Sequence, residues 1–495
     1  MTMGKLAGKE ICAIAMLISS VLLQATAQAS FLLKKPDGNN HRQTMPVAAE
    51  ETTANQVTPT EKGDFTYSLN GLRPIPEDTI SLELASENNE ASSRVIKRYL
   101  SSMVEAAKNY TPQIREAQSS YEAAKADIDQ ARGQRLPQID VGLQSNPVQF
   151  GSGERVDRED MTNGVSMSMT TPVFDWGYNS KNIRSKEYTA KAASAYYDAT
   201  QEDIAYQVCA QLAELAKERI ITQLSQAYVE RMQRLVNMIS DISKVDAGRV
   251  SELTQAQARL LQAEASRDAA MSKVQDAEIA LRKLTGLVNY SGLPPQFAWD
   301  LRINDAGKLM KVLDSHPSII QARNEALSAI EQAKTVKAQN LPKVNWVVKK
   351  TVPINHGAYE ESWQTYLNLS WGIFRGGSAS AQERAAALRA EEARQKIDER
   401  RIDLSSKVRS SIHNSQTYLS QSEQYHRLVN ATDRVRRDFF EQWRQLNTRT
   451  LLDVLTAESD YYNNQVNEVT TRFEAYSAMF TGYANAGVLE QWLAQ

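Results

Sequence analysis

Pro112-Gln-Ile-Arg-Glu-Ala117 opens a stretch that closes on Gln134-Arg-Leu-Pro137, and the chain then repeats itself. Pro317-Ser-Ile-Ile-Gln-Ala322 opens the second copy and Gln339-Asn-Leu-Pro342 closes it. Pro112, Ile114, Ala117, Gln134, Leu136 and Pro137 recur in constant register at Pro317, Ile319, Ala322, Gln339, Leu341 and Pro342. A second matched pair follows after a slip in register: Val173-Phe-Asp-Trp-Gly177 with Arg184, and Ile373-Phe-Arg-Gly-Gly377 with Arg384. A duplication this long sets the architecture before any single motif does, because each copy has to fold as the same supersecondary unit. The expected unit is a helix, a pair of strands and a long helix.

Between Pro137 and Gly177 the apolar period changes from helical to two. Ile139, Val141 and Leu143 alternate with Asp140, Gly142 and Gln144. Past a Gly-rich, charged loop from Gly151 to Asp160, Val165, Met167, Met169, Thr171 and Val173 alternate with Ser166, Ser168, Thr170 and Pro172. The second copy repeats the pattern with Val344, Trp346 and Val348, blurred by Val347, and then with Trp363, Thr365, Leu367, Leu369, Trp371 and Ile373. Strands with one apolar and one small or polar face suit a wall between two media. A half-buried hairpin in a soluble sheet alternates in the same way, so alternation alone leaves both readings open.

The flanking segments are helical. From about Asn179 to Ser243 there is no Pro or Gly, and Ile204, Val208, Leu212, Leu215, Met232, Leu235, Met238 and Ile242 recur at helical spacing. That is about 65 residues, or about 100 Å of helix at 1.5 Å per residue. The second copy supplies a matching helix from about Ser378 to Leu446, with Leu404, Val408, Ile412 and Leu419 on its seam. Returning helices are expected from about Ser251 to Thr285 and from about Leu451 to Ala486, and pre-strand helices over roughly 100–135 and 306–340. A returning helix and a pre-strand helix together nearly equal one long helix. The simplest geometry stacks them end to end beside it, making a rod capped by strands at one end and by the breakers Asp246–Val250 and Gln445–Arg449 at the other.

Composition agrees with thin apolar seams on elongated helices. Mean hydropathy is −0.48 and aromatic residues make up 7% of the 495 residues. A net charge of −2 indicates no bulk attraction to nucleic acid. Lys5 and Lys9 precede an apolar run from Ile11 to Leu23, and Ala27-Gln-Ala29 follows as a small-x-small cleavage site, which reads as a cleaved export signal. Cys12 stands at the front of that run rather than just behind it, which argues against a lipid anchor. No other stretch approaches the apolar length of a membrane helix, so membrane insertion would have to use β-strands. The expected division is a signal peptide over 1–29, a polar lead-in over 30–95, a first structural repeat over 96–286, a linker over 287–305 and a second repeat over 306–495.

With these residues in this order, the chain resembles the TolC family of outer-membrane channel proteins over about residues 100 to 490. The resemblance is carried by the duplicated Pro-led helices, the Leu-Pro strand openings, Pro172-Val-Phe-Asp-Trp-Gly177 with Phe374-Arg-Gly-Gly377, and Thr448-Arg-Thr-Leu-Leu-Asp-Val-Leu-Thr-Ala457. It implies a mainly α protein with a small β part, whose duplicated long-helix hairpins form a trimeric α-barrel tunnel. A twelve-stranded outer-membrane β-barrel, four strands from each protomer, would cap the tunnel. Val165, Met167, Met169, Leu367, Leu369 and Trp371 would then face lipid. One point stands independently of the resemblance: four strands leave open edges that lipid does not tolerate, so a membrane reading requires oligomerisation.

The resemblance also implies a periplasmic gate. Arg449 matches the gate arginine of the Thr-Arg-Thr motif and Asp453 the first ring aspartate, while Thr456 replaces the second ring aspartate and Arg444 stands at the gate tyrosine position. The adaptor-contact tip would comprise Gly248, Arg249, Asn447 and Thr448. The first tip aligns with the second in two registers, one pairing Glu252 with Asp453 and the other pairing Gly248 with Asn447. The bland reading of all these residues is a solvated turn with ordinary capping, and of Gly248 a glycine admitting φ > 0.

Chemistry for an enzyme is missing. His41, His316, His356, His413 and His426 are scattered, no phosphate-binding glycine loop is present, and Cys209 lies at helical spacing among apolar residues as a packed thiol. No cofactor or metal is expected. The function expected is the passive exit duct of a tripartite type I secretion system in the Gram-negative outer membrane. Its partners would be two further copies of the chain, outer-membrane lipid, a periplasmic adaptor (a membrane fusion protein) and an inner-membrane ABC transporter. The alternatives are the outer component of a multidrug efflux pump, ATP- or proton-driven, and a periplasmic coiled-coil scaffold.

Overall fold

A computed structural model describes residues 88–144, 164–290, 293, 299, 301–303, 306–353, 362–446 and 448–494. The expected signal peptide, most of the polar lead-in and the Gly151–Asp160 loop lie outside these residues.

Helix α1 (Asn88–Tyr110) begins inside the stretch expected to be a polar lead-in. Ile96, Leu100, Val104 and Ala107 form a stripe at helical spacing, and all are 3% exposed or less, so burial of one narrow face orders a segment whose composition is polar. Thr111 then takes an extended backbone, as the residue before a proline does, and Pro112 occupies the first turn of α2 (Pro112–Gly133). One helix was expected here; the proline makes it two.

Strands β1 (Gln138–Gln144) and β2 (Gly164–Phe174) follow. Next comes α3 (Tyr178–Val245), 68 residues and so about 100 Å long. A 3₁₀ turn over Ala247–Arg249 leads into α4 (Val250–Thr285). The second repeat opens with the short α5 (Ala306–Val312) and continues through α6 (Pro317–Gln339), β3 (Lys343–Pro353) and β4 (Gln364–Ser370) to α7 (Ser378–Glu441). Helix α8 (Leu451–Ala486) and the short α9 (Leu489–Leu493) complete it. Helix α7 stops short of the expected Leu446 and ends in a π turn over Gln442–Leu446, which carries the buried Trp443.

Helix α3 is the spine. It is packed by α2, α4, α6, α8 and α1, whereas α7 is packed chiefly by α8 and α6. On α4, Ala256, Ala263, Ala270 and Ala277 fall one per heptad and are all 4% exposed or less, with Leu253, Leu260, Val274 and Leu281 on the companion positions. Alanine at every seventh residue lets α4 lie close against α3 in coiled-coil fashion.

The two stacked pairs, α2 above α4 and α6 above α8, are pinned where they meet. Thr111 Oγ1 donates to the Leu284 carbonyl at 2.8 Å, and His316 Nε2 reaches the Ala484 carbonyl at 3.3 Å. Gly286 and Gly487 end α4 and α8 with φ of 71° in both, a conformation that glycine adopts freely. A Cβ on Gly487 would stand 2.9 Å from the His316 ring and from the Pro317 ring, so the joint has no room for one.

The four strands form a single antiparallel sheet in the order β1-β2-β3-β4. Paired residues of adjacent strands share a face, and the register groups Ile139, Met169 and Val348 in one row and Thr171, Trp346 and Leu367 in another. The apolar residues of all four strands therefore collect on one side, joined there by Lys350 opposite Met167. Val347 lies on the other side, between Thr170 and Tyr366. Strand β4 is shorter than expected and ends before Trp371. The outer edges of β1 and β4 have no strand beside them among the described residues.

Candidate functional site

Two places could carry function: the turns at the far end of the rod and the sheet that caps it. Both long helices leave the sheet, and their lengths, 68 and 64 residues, bring the two helical turns to the same end.

At the second turn, Thr450 and Asp453 form a reciprocal capping box at the start of α8. Asp453 N–H donates to Thr450 Oγ1 at 3.2 Å, while Thr450 donates to Asp453 Oδ2 from both its N–H at 3.0 Å and its hydroxyl at 2.9 Å. These bonds, with Arg449 nearby, hold the Asp453 carboxyl below its ordinary pKa. Arg449 lies over the Phe439 ring at 4.2 Å and donates to Gln442 Oε1 at 3.2 Å. Thr448, Arg444 and Thr456 are exposed, and Thr448 N–H donates to the Gln442 carbonyl. Asn447 lies outside the described residues.

At the first turn, the Asp246 side chain accepts from Gly248 N–H at 3.0 Å, and Arg249 lies 3.6 Å from both Asp246 and Glu252. Gly248 sits in the 3₁₀ turn without a positive φ, so backbone freedom is not what the position demands. Helices α4 and α8 are both 36 residues long and both end on a left-handed glycine, which keeps the register that pairs Glu252 with Asp453.

A charged cluster that no sequence motif marks lies inward from these turns. Glu458, only 5% exposed, accepts from Arg231 Nε at 2.8 Å and from Arg436 at 3.1 Å. Arg436 also donates to Asp433 at 2.6 Å, and Tyr461 lies under both guanidiniums, at 5.3 Å and 4.9 Å. Beside it, Tyr228 stacks on Tyr462 at 4.5 Å, and the Tyr462 hydroxyl meets Ser225 at 2.8 Å. The cluster ties α3, α7 and α8 together with paired charges. Its signal was visible as Glu458, Gln465 and Glu468 standing where the apolar seam of α8 should continue.

On the sheet, Val165, Met167, Met169, Leu367 and Leu369 share the apolar face, while Trp371 lies one residue beyond β4. Leu367 and Leu369 on β4 are 68% and 67% exposed and Ile139 and Leu143 on β1 are 58% and 81%, so no described residue covers this face along the two outer strands. Aromatic rings gather where the strands join the helices. Trp176 adopts a left-handed backbone with φ of 54°, matched by Gly376 at 59° in the other repeat, and its indole donates to the Pro342 carbonyl at 2.8 Å. Phe174 stands edge-on to that indole at 5.0 Å.

A family model described as outer membrane efflux protein matches residues 103–287 and 309–479 of this chain. Outer membrane protein TolC of Escherichia coli (strain K12) is 22% identical over 386 residues, covering 73% of this chain and 76% of that protein. The same protein of Salmonella enteritidis matches to the same extent. Among solved structures, the CmeC outer membrane channel of Campylobacter jejuni is similar with a TM-score of 0.70 at 17% identity, over 79% of this chain and 86% of that one. The outer membrane protein VceC of Vibrio cholerae gives 0.66 at 19% identity, over 79% and 96%. At these identities the structural likeness establishes the fold: mainly helical, with long helices and a four-stranded antiparallel sheet.

Proposed function

This chain belongs to the outer membrane efflux protein family, and on that premise we propose that it is the exit duct of a tripartite type I secretion system. It is an outer membrane protein of Gram-negative bacteria and a non-enzymatic transport protein. That membership sets the soluble scaffold aside.

The observation that carries the duct reading is the open-edged sheet with one uncovered apolar face. Four strands expose two edges of unpaired backbone, and hydrocarbon offers those groups no partner. Three copies joined edge to edge would make twelve strands, remove every edge and turn the apolar face to lipid. The helices would then continue the barrel as a tunnel. Apolar side chains on both flanks of the helical wall support this: Leu261 and Ile279 on α4, at 66% and 65% exposed, and Leu388 and Ile402 on α7, at 65% and 68%. Each flank would cover the other in a neighbouring protomer.

In this reading Arg449, Asp453, Thr456 and Arg444 control the far opening, and Gly248, Arg249, Asn447 and Thr448 receive the hairpins of a periplasmic adaptor. The duct draws no energy of its own, so an inner-membrane ABC transporter drives an unfolded protein through it. The Arg-Thr-Leu-Leu-Asp-Val-Leu segment from Arg449 to Leu455, which leads from the turn into α8, favours this branch. The second reading, an outer component of a multidrug efflux pump with a proton-driven or ATP-driven partner, is favoured by the description of the family itself.

Comparing secreted and surface proteins of parent and gene-deletion strains separates the two. Loss of one or a few large proteins, restored by complementation, supports the secretion duct. An unchanged profile together with raised drug accumulation supports the pump.

A further inference from the structure

We infer that Asp140 and Lys349 form one belt of alternating charge inside the barrel, which leaves the lumen at that level indifferent to the sign of the charge passing through it. The inference rests on the trimeric-barrel reading above.

The register supplies the belt. Asp140 pairs with Ser168, Ser168 with Lys349, and Lys349 with Gln364, so all four residues lie in one row across the sheet. This row is on the face opposite the apolar one. On that face the described strands carry one further charge, Lys343, which stands at the helix end of β3 with its ammonium over the Tyr178 ring, about 20 Å along the strand from Lys349 and beyond the screening length; the rest of the face is uncharged. Within the row the two charges stand two strands apart, about 10 Å at the usual strand spacing. In a closed twelve-stranded barrel, threefold symmetry sets three Asp140 at one height and three Lys349 at another, offset by about 6 Å through the strand tilt, so the two signs alternate around one belt of the wall.

Alternation at this distance cancels the field. The spacing is close to the screening length of about 10 Å at 0.1 M salt, so each carboxylate is offset by an ammonium before its potential reaches the axis. Removing one member of the pair leaves three like charges on a ring of about 12 Å radius, the size that twelve tilted strands give. Such a ring changes the relative concentrations of small cations and anions at its own level by about two- to threefold.

Ser168 lies between the two charges and provides the probe. Ser168→Cys is introduced into the full chain, and the outer membrane is treated from outside with a cationic and an anionic alkylthiosulfonate. Cys209 is buried, and the parent protein serves as the blank. The expected ratio of the two rates is close to that of a small thiol in solution. Asp140→Asn in this background should lower the cationic-to-anionic ratio about two- to threefold, and Lys349→Gln should raise it by a similar factor. The two substitutions together should restore it. The belt is overturned if the thiol reacts with neither reagent, if the single variants leave the ratio unchanged, or if both move it the same way. Outer-membrane fractionation and trimer mobility in mild detergent are scored on the same samples. Their loss in the parent protein would overturn the barrel reading, whereas their retention with an unmoved ratio overturns the belt alone.

Discussion

Thr111 and His316 hold the same position in the two repeats and pin the same joint with different chemistry. Each precedes a proline that opens an upper short helix, and each reaches a carbonyl in the last turn of the lower one, Leu284 at 2.8 Å and Ala484 at 3.3 Å. The hydroxyl does this at any pH. The imidazole does it as the neutral tautomer, because its Nδ1 also accepts from Ser318 N–H at 3.0 Å.

Burial therefore lowers the His316 pKa from its ordinary value of 6.5. A histidine with a lowered folded pKa binds fewer protons folded than unfolded, so its contribution is whole above about pH 6.5 and is lost as pH falls toward the lowered value. His316→Thr, which copies the first repeat, should flatten the drop in Tm between pH 7 and pH 5. Melts of the detergent-solubilised protein that show the same slope for parent and variant would refute this.

Glu202 acts in the opposite direction. Its carboxylate accepts from Leu489 N–H at 3.1 Å, and burial, helped by nearby Glu490, pushes its pKa up to about 7. A carboxyl with a raised folded pKa stabilises fully below its unfolded value of 4.5, and that contribution disappears as pH rises through about 7. Glu202→Gln keeps an acceptor for the amide and removes the charge. It should raise Tm by a few degrees at pH 8 and leave it unchanged at pH 5, with thermal melts at the two pH values as the check.

The Arg231–Glu458–Arg436 cluster should be unforgiving of single changes. Glu458→Gln leaves the largely buried Arg231 without its carboxylate and Arg436 with Asp433 alone, and removing one partner from such a group costs about 3–5 kcal/mol. Replacing all three with Met, Leu and Met should recover most of that loss, because paired buried charges often do no better than apolar packing. Denaturant titration of the single and triple variants decides it. A triple variant as unstable as Glu458→Gln would show that the charges contribute more than mutual compensation.

Leu367 and Asn368 are adjacent in β4 and lie on opposite faces of the sheet. If the apolar face meets lipid, Leu367→Arg should lower the yield of outer-membrane trimer sharply, since arginine near the bilayer midplane costs about 2–4 kcal/mol in a β-barrel. Asn368→Arg should assemble normally. Equal yields would refute the assignment of the two faces.

Much of this layout was legible in the sequence because each element carries its own local signal. Pro112 and Pro317 mark helix starts, the period-two runs mark strands, and an unbroken helical seam of about 65 residues requires a rod. The cluster around Glu458 was not legible, since a lone acidic residue in a helix reads as a solvated one until its neighbours are known. The early start of α1 was hidden for a related reason: four apolar residues among polar ones look unstructured until α3 covers them.

The sequence by itself determined the duplication, the order of the elements and the two-faced strands, since periodicity and chain-breaking residues act over a few neighbours. Only the tertiary structure decided which residues from the two repeats stand side by side. Lys349 comes level with Asp140 across Ser168, Arg231 reaches Glu458, and His316 reaches Ala484, all over long stretches of intervening chain. Pairing at that distance depends on strand register and on helix packing angle, which a local pattern constrains but does not specify.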